Sequence, residues 1–255
     1  MKKIFTVTVL LTLFLVSINC SKKDDNPNPS APNPSLNKKN VGESAKDYLS
    51  PLTYDKLTIE LISVNSFAPS TSVINSFKSF LEARLNKPNG ITIESRSIPV
   101  TGLAPYSLAD LINYEDLART KYNVARELTM YIFITEDSYS DNNDVLGLAY
   151  RNTSCAIMGG RIRQLSGGLG QPSQDLVLQT VLRHEAAHLL GLVGVGTPIQ
   201  SAHQDVANGK HCDVASCLMY YTVESGDFIS NLAGLSAPPE LDSQCLNDLR
   251  ANGGK

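Results

Sequence analysis

At 255 residues the chain has room for one domain, or one domain with a tail. Its 42% hydrophobic and 18% charged content are those of an ordinary globular protein, and a formal charge of -3 excludes the basic excess that a nucleic-acid partner would require. So mild a charge carries no information about substrate.

The N-terminus reads as an address. Lys2 and Lys3 form a basic start, and residues 4–18 are an apolar run too short and too poorly flanked to span a bilayer. Ser17-Ile18-Asn19-Cys20 then resembles a bacterial lipobox, which implies removal of residues 1–19 and lipid on Cys20; an ordinary cleaved signal peptide with an incidental cysteine is the alternative. The next residues, Ser21-Lys22-Lys23-Asp24-Asp25, are similar to the short charged signal that sends Gram-negative lipoproteins to the outer face of the outer membrane, with acyl chains as the anchor. From Asn26 onward Asn, Pro, Ser and Lys dominate, and such a stretch can bury almost nothing. Residues 20–47 are therefore expected to form a disordered tether, and residues 48–255 the folded domain.

Within that domain the hydrophobic period alternates between two and 3.6. Residues 57–64 (LTIELISV) predict a strand, and residues 71–86 carry Val73, Ile74, Phe77, Phe80, Leu81 and Leu85 at helical spacing. Lys87-Pro88-Asn89-Gly90 stops that helix. Residues 91–100 predict a second strand, residues 107–121 a second helix, and residues 128–135 (LTMYIFIT) a third strand whose apolar run suits a central position. One or two more strands fall within residues 145–158. The order β-α-β-α-β, without internal repeat, argues for an α/β (α+β) fold.

The chemistry concentrates in Arg183-His184-Glu185-Ala186-Ala187-His188-Leu189-Leu190-Gly191. Upstream, Pro172, Ser173 and Asp175 predict a helix start, and Leu176, Val177, Leu178, Val181 and Leu182 its buried face. Residues four apart on a helix point the same way, so the imidazoles of His184 and His188 can grip one metal ion with Glu185 beside it. Neutral imidazole suits Zn2+, and two histidines leave that ion wanting a third ligand and a water. A motif this short also arises by chance on amphipathic helices, so the residues after it matter.

Those residues resemble the metzincin peptidases. Gly191 stands three residues after His188, where a metzincin glycine turns the chain back toward the metal. His211-Cys212-Asp213-Val214-Ala215-Ser216-Cys217-Leu218-Met219 is similar to the archaemetzincin pattern of a ligand histidine, a Cys pair five apart and a methionine two residues later. The venom and disintegrin-linked metzincins carry a comparable turn. The resemblance implies a metzincin-like zincin: a twisted mixed sheet, an active-site helix and a C-terminal helical subdomain, with Met219 beneath the metal. One departure stands out, since Gly194 occupies the position of the family's third ligand. His211 is favoured for that role because it abuts Cys212 and keeps the spacing to Met219. The alternative is His203, in a polar loop, and Asp205 and Asp213 remain as donors or as groups that orient a ligand imidazole.

The activity so implied is zinc-dependent hydrolysis of peptide bonds, with Glu185 as general base toward metal-activated water. Tyr221 matches the tyrosine that astacins and serralysins place near the metal to donate to the oxyanion; a tyrosine merely packed in a turn is also open. Gly147-Leu148-Ala149-Tyr150 resembles the edge strand along which such enzymes lay their substrate, its alternative being a plain sheet edge. With Cys20 lipidated, Cys155, Cys212, Cys217 and Cys245 remain, an even number in an oxidising compartment. The resemblance implies the disulfides Cys212–Cys217 and Cys155–Cys245. A second zinc site, as in archaemetzincins, is the rival, weakened because Cys245 does not begin a CxxC. The expectation is an outer-membrane lipoprotein, surface-exposed on a Gram-negative bacterium, monomeric, with peptide or protein substrates. A catalytically inactive peptide-binding lipoprotein of the same fold, and a surface structural protein with incidental histidines, are the alternatives.

Overall fold

The computed structural model of the chain describes residues 31–226 and 229–255, so the leader and the lipidation site expected at Cys20 lie outside the described residues. At its centre is a five-stranded sheet in the order β2-β1-β3-β5-β4. Strands β1 (Lys56–Val64), β2 (Ile91–Ile98), β3 (Glu127–Ile134) and β5 (Ser154–Ile157) run parallel, and β4 (Gly147–Arg151) pairs antiparallel with β5 at one edge. The sheet is thus mixed, as expected. β3 is central and buried along nearly its whole length, in keeping with its unbroken apolar run, whereas β2 alternates and is largely exposed at the opposite edge from β4.

Helices α2 (Thr71–Glu82) and α3 (Leu108–Ala118) make the two crossovers, one from β1 out to β2 and one from β2 back past β1 to β3. Right-handed crossovers in opposite directions put them on opposite faces. On the α3 face, Tyr114 stacks on Phe133 of β3. On the other face, α2 packs beside α5 (Gln174–Leu189), joined by the hydrogen bonds Ser70 to Asp175, Ser76 to Gln179 and Arg183 to Ser76. Ser70, Ser107 and Ser173 cap these three helices, each accepting from a backbone N–H three residues on.

α2 is shorter than its apolar spacing predicts. Beyond Glu82 the chain turns to meet the N-terminal segment: Asn86 N–H donates to the Leu49 carbonyl, and Lys87 Nζ donates to the carbonyls of Asp47, Ser50 and Tyr54. That segment contains α1 (Ala45–Leu49) and, before it, a 3-10 turn at Pro34–Asn37. The domain boundary expected at residue 48 is therefore corrected. Asn37 is fully buried, donating to Asn123 Oδ1 and accepting from the Asn123 N–H, so residues 33–47 pack as part of the domain. A helix that the periodicity does not predict, α4 (Gly159–Leu165), follows β5 directly, and α6 (Ile229–Leu232) and α7 (Ser243–Ala251) close the chain.

Candidate active site

α5 is buried on nearly every side, and its second half, including His184, Glu185 and His188, is buried throughout. It ends at Gly191 in a Schellman turn: Leu192 N–H donates to the Ala187 carbonyl and Gly191 N–H to the His188 carbonyl, with Gly191 at φ +84°. A side chain at Gly191 would also collide with Ala45 Cβ, 2.6 Å away. The chain then loops through residues 192–210 and returns to the helix at His211.

The structure brings His184, His188 and His211 around one point, with the imidazole Nε2 atoms of His184 and His188 only 3.1 Å apart. The outer nitrogens are committed elsewhere: His184 Nδ1 donates to the Leu218 carbonyl at 2.7 Å, and His211 Nδ1 to the Asn208 carbonyl at 2.8 Å. The inner Nε2 atoms of these two rings therefore present lone pairs. His211 Nε2 is buried with no hydrogen-bond partner. Burial, then the neighbouring His184 and His211, push the His188 pKa well below the usual imidazole range, toward the neutral form that ligates metal. A tetrahedral ion with bonds of about 2.0–2.1 Å separates its nitrogen ligands by ~3.3 Å, so this donor set fits zinc.

Glu185 stands beside the imidazoles with both carboxylate oxygens buried and unpartnered. Burial, and next the charge of Glu224, push its pKa well above the usual carboxylate range. Its room is made by β4: a Cβ on Gly147 would lie 2.5 Å from Glu185 Oε1. Leu148 and Ala149 of the same strand line a cleft of about 320 Å³ with Glu185, His188 and His211, opposite residues 208–210. Tyr150 does not line it. Tyr221 opens a 3-10 turn (Tyr221–Glu224) and packs its ring against Tyr220; the residue of this turn that reaches the imidazoles is Glu224. Met219 is fully buried, its carbonyl accepting from the Cys212 N–H.

The expected disulfides are corrected. All four described cysteines are free thiols; Cys212 and Cys245 meet His203 and Asp242 in a second cluster, and Cys217 lies beside Cys245. Cys217 Sγ lies 3.8 Å from Cys245 Sγ, and His203 Nδ1 lies 3.5 Å from Cys212 Sγ and 3.9 Å from Cys245 Sγ. Cys155 is apart, in β5. A zinc ion with Zn–S bonds of about 2.3 Å spaces its sulfurs by ~3.8 Å, whereas a disulfide needs ~2.05 Å. His203 Nε2 donates to Asp248 Oδ2 at 2.8 Å, an arrangement that orients a ligand imidazole. Neighbouring thiols Cys212 and Cys245, and then the backbone N–H groups of Asp242 and Met219, draw the Cys217 pKa down to about 4. Asp205 and Asp213, considered as donors, belong to neither cluster.

Three contributors have no motif in the sequence. Glu224 follows Met219 by five residues, and Val41 of the expected tether lines the cleft. Asp248 lies one helical turn after Cys245, which is its one available signal.

No protein-family model matches the sequence, and no curated protein does. Solved structures match by shape. Archaemetzincin from Methanopyrus kandleri gives a TM-score of 0.52 at 15% identity, covering 78% of this chain and 96% of that one. Metalloproteinase-II from Bacteroides fragilis gives a TM-score of 0.42 at 17% identity, covering 89% of this chain and 58% of that one. The archaemetzincin match runs over nearly that whole protein, and it places this chain among those with the metzincin-like zinc-peptidase fold.

Proposed function

We propose that the protein is a zinc-dependent endopeptidase held at the bacterial envelope by lipid on Cys20. The hydrolytic reading is carried by Glu185: both of its oxygens are buried and unpartnered at the wall of a cleft shared with the inward-facing imidazoles. Zinc on His184, His188 and His211 would supply Lewis acidity, bringing the pKa of a water toward about 7 and polarising the scissile carbonyl. Glu185 takes that water's proton and delivers it to the leaving amine, from a carboxylate at the wall of the same cleft as the imidazoles. The carbonyls of Leu218 and Asn208 hold the His184 and His211 rings in place, and β4 offers its free edge to an extended peptide, so recognition depends mainly on backbone.

The second cluster supports a further zinc, held by His203, Cys212 and Cys245 with Cys217 or Asp242 as the fourth donor; four protein ligands give it a structural part. Envelope attachment rests on the Ser17–Cys20 sequence and on the polar residues after it. Incorporation of labelled palmitate that Cys20→Ala abolishes would support it, and an unlabelled wild-type protein would refute it.

The test of function is Glu185→Gln. Peptide-library cleavage should fall by about 10²–10⁴-fold while zinc content is kept. Undiminished cleavage by the variant refutes the assignment of Glu185. If wild-type protein with full zinc binds peptides and cuts none, the inactive peptide-binding lipoprotein is the right reading.

A further inference from the structure

Glu224 has no ordinary reason to be where it is. Its Oε2 lies 3.8 Å from His184 Nε2, 3.9 Å from His188 Nε2 and 3.4 Å from His211 Nε2. Among the described residues, its ion-pair contacts are these three rings, and no Lys or Arg pairs with it. Where His184 and His211 are neutral, donation through Nδ1 to backbone carbonyls leaves their inner nitrogens as acceptors, and a carboxylate is an acceptor as well. Acceptors facing one point repel each other unless a cation lies between them. The Glu224 distances, like the 3.1 Å between the His184 and His188 nitrogens, approximate the ~3.3 Å edges of a zinc coordination tetrahedron.

We infer that Glu224 is a fourth protein ligand of the metal held by His184, His188 and His211, and that it closes the position which hydrolysis needs open. This deepens the zinc-peptidase reading and rests on it. The main chain of Glu224 is tied to the cleft rim, its carbonyl accepting from the Leu146 N–H at 2.8 Å and Ser225 bridging to Val145. Its side chain, however, is 38% exposed, so the carboxylate can swing off into solvent while the backbone stays. A peptide laid along β4 arrives beside this carboxylate and competes with it for the metal. Extended peptides, which gain many backbone contacts with β4, displace Glu224 more readily than short ones. The resting site is thereby shielded from idle hydrolysis and opened by its substrate class.

The experiment uses the full chain with zinc in the thiol cluster and Co2+ at the imidazoles, in wild type, Glu224→Gln, Glu224→Ala and His188→Ala. Wild type should show the intense visible bands of four-coordinate cobalt. Both Glu224 variants should show bands shifted in position by the exchange of carboxylate for water, bind azide at the cobalt at least about tenfold more tightly, and hold zinc at the imidazoles more than about tenfold more weakly. Wild-type spectra, azide affinity and zinc affinity in both variants would overturn the assignment of Glu224 while leaving the zinc site intact. A wild-type cobalt spectrum that His188→Ala does not change would mean that no metal sits at the imidazoles, and the underlying zinc reading falls with the inference.

Discussion

Two donor clusters sit back to back in this protein, joined at the consecutive residues His211 and Cys212. The sulfur cluster is closed: its histidine and three cysteines are buried, His203 is braced by Asp248, and Cys217 Sγ accepts from the backbone N–H groups of Met219 and Asp242 at 3.4 Å each. The imidazole cluster is open: Glu185 and His211 keep buried atoms without partners, and the site gives onto a cleft. Satisfied donors hold a chain in place, and unsatisfied ones are kept for a reactant. The difference implies a division of labour in which the closed cluster fixes the return of residues 192–210 and so delivers His211 to the open one.

The largest expected effect comes from breaking the closed cluster. Cys217→Ser should remove one zinc per chain and cost about 4 kcal/mol, a fall in Tm of ~10 °C by the scaling for domains of this size. Cleavage should fall with it, because His211 loses its anchor. Atomic absorption and calorimetry on the same samples decide the matter, and unchanged zinc content would rule out the sulfur site.

The next comparison separates the two histidines. His211→Ala removes a ligand of the open cluster, so zinc affinity there and peptide cleavage should drop together by more than about 100-fold, with little change in Tm. His203→Ala should do the reverse, lowering Tm through the closed cluster. Exchange of these two outcomes would mean that each histidine serves the other site.

Much of this arrangement is legible in the sequence, and the exceptions share a cause. Periodicity locates β1, β3 and α5 because apolar residues there are buried in bulk. The segment at residues 33–47 escapes it because Asn37 and Asn152 are buried by hydrogen bonding, which composition registers as polar and therefore as exposed. The four cysteines suggest pairing because their even count says nothing of His203. Whether thiols meet as a disulfide or around a metal depends on a fourth donor brought by tertiary structure from the loop after Gly191. Glu224 is hidden for a similar reason, since its significance lies in its distance to three rings and in no spacing along the chain.

A subtler way to sharpen the open site is Gly147→Ala. The glycine is required by proximity, because an added Cβ would fall within 2.5–2.8 Å of three Glu185 side-chain atoms. Either Glu185 moves or β4 bows outward, and a misplacement of about 1 Å costs ~10²-fold in rate. Cleavage should drop by about that factor with both zinc ions retained. Equal rates for the two proteins would show that Glu185 has freedom the packing denies.

The smallest effect probes how the closed cluster is braced. Asp248 lies on α7 one turn after Cys245, fully buried, and uses each oxygen once: Oδ1 accepts from the Gln200 N–H at 2.7 Å and Oδ2 from His203 Nε2 at 2.8 Å. Asn at this position has one acceptor and one donor. Whichever way its amide turns, its NH2 faces an N–H, so one of the two bonds is lost along with the charge that makes His203 a better ligand. Volume is unchanged and no cavity forms, so the fold should survive. Asp248→Asn should therefore weaken metal at the closed cluster by about tenfold, read from the thiolate-to-cobalt absorption during chelator competition, and lower Tm by a few degrees. A larger loss, with the domain unfolding, would mean that the Gln200 contact is the more important of the two and that Asp248 chiefly pins the loop.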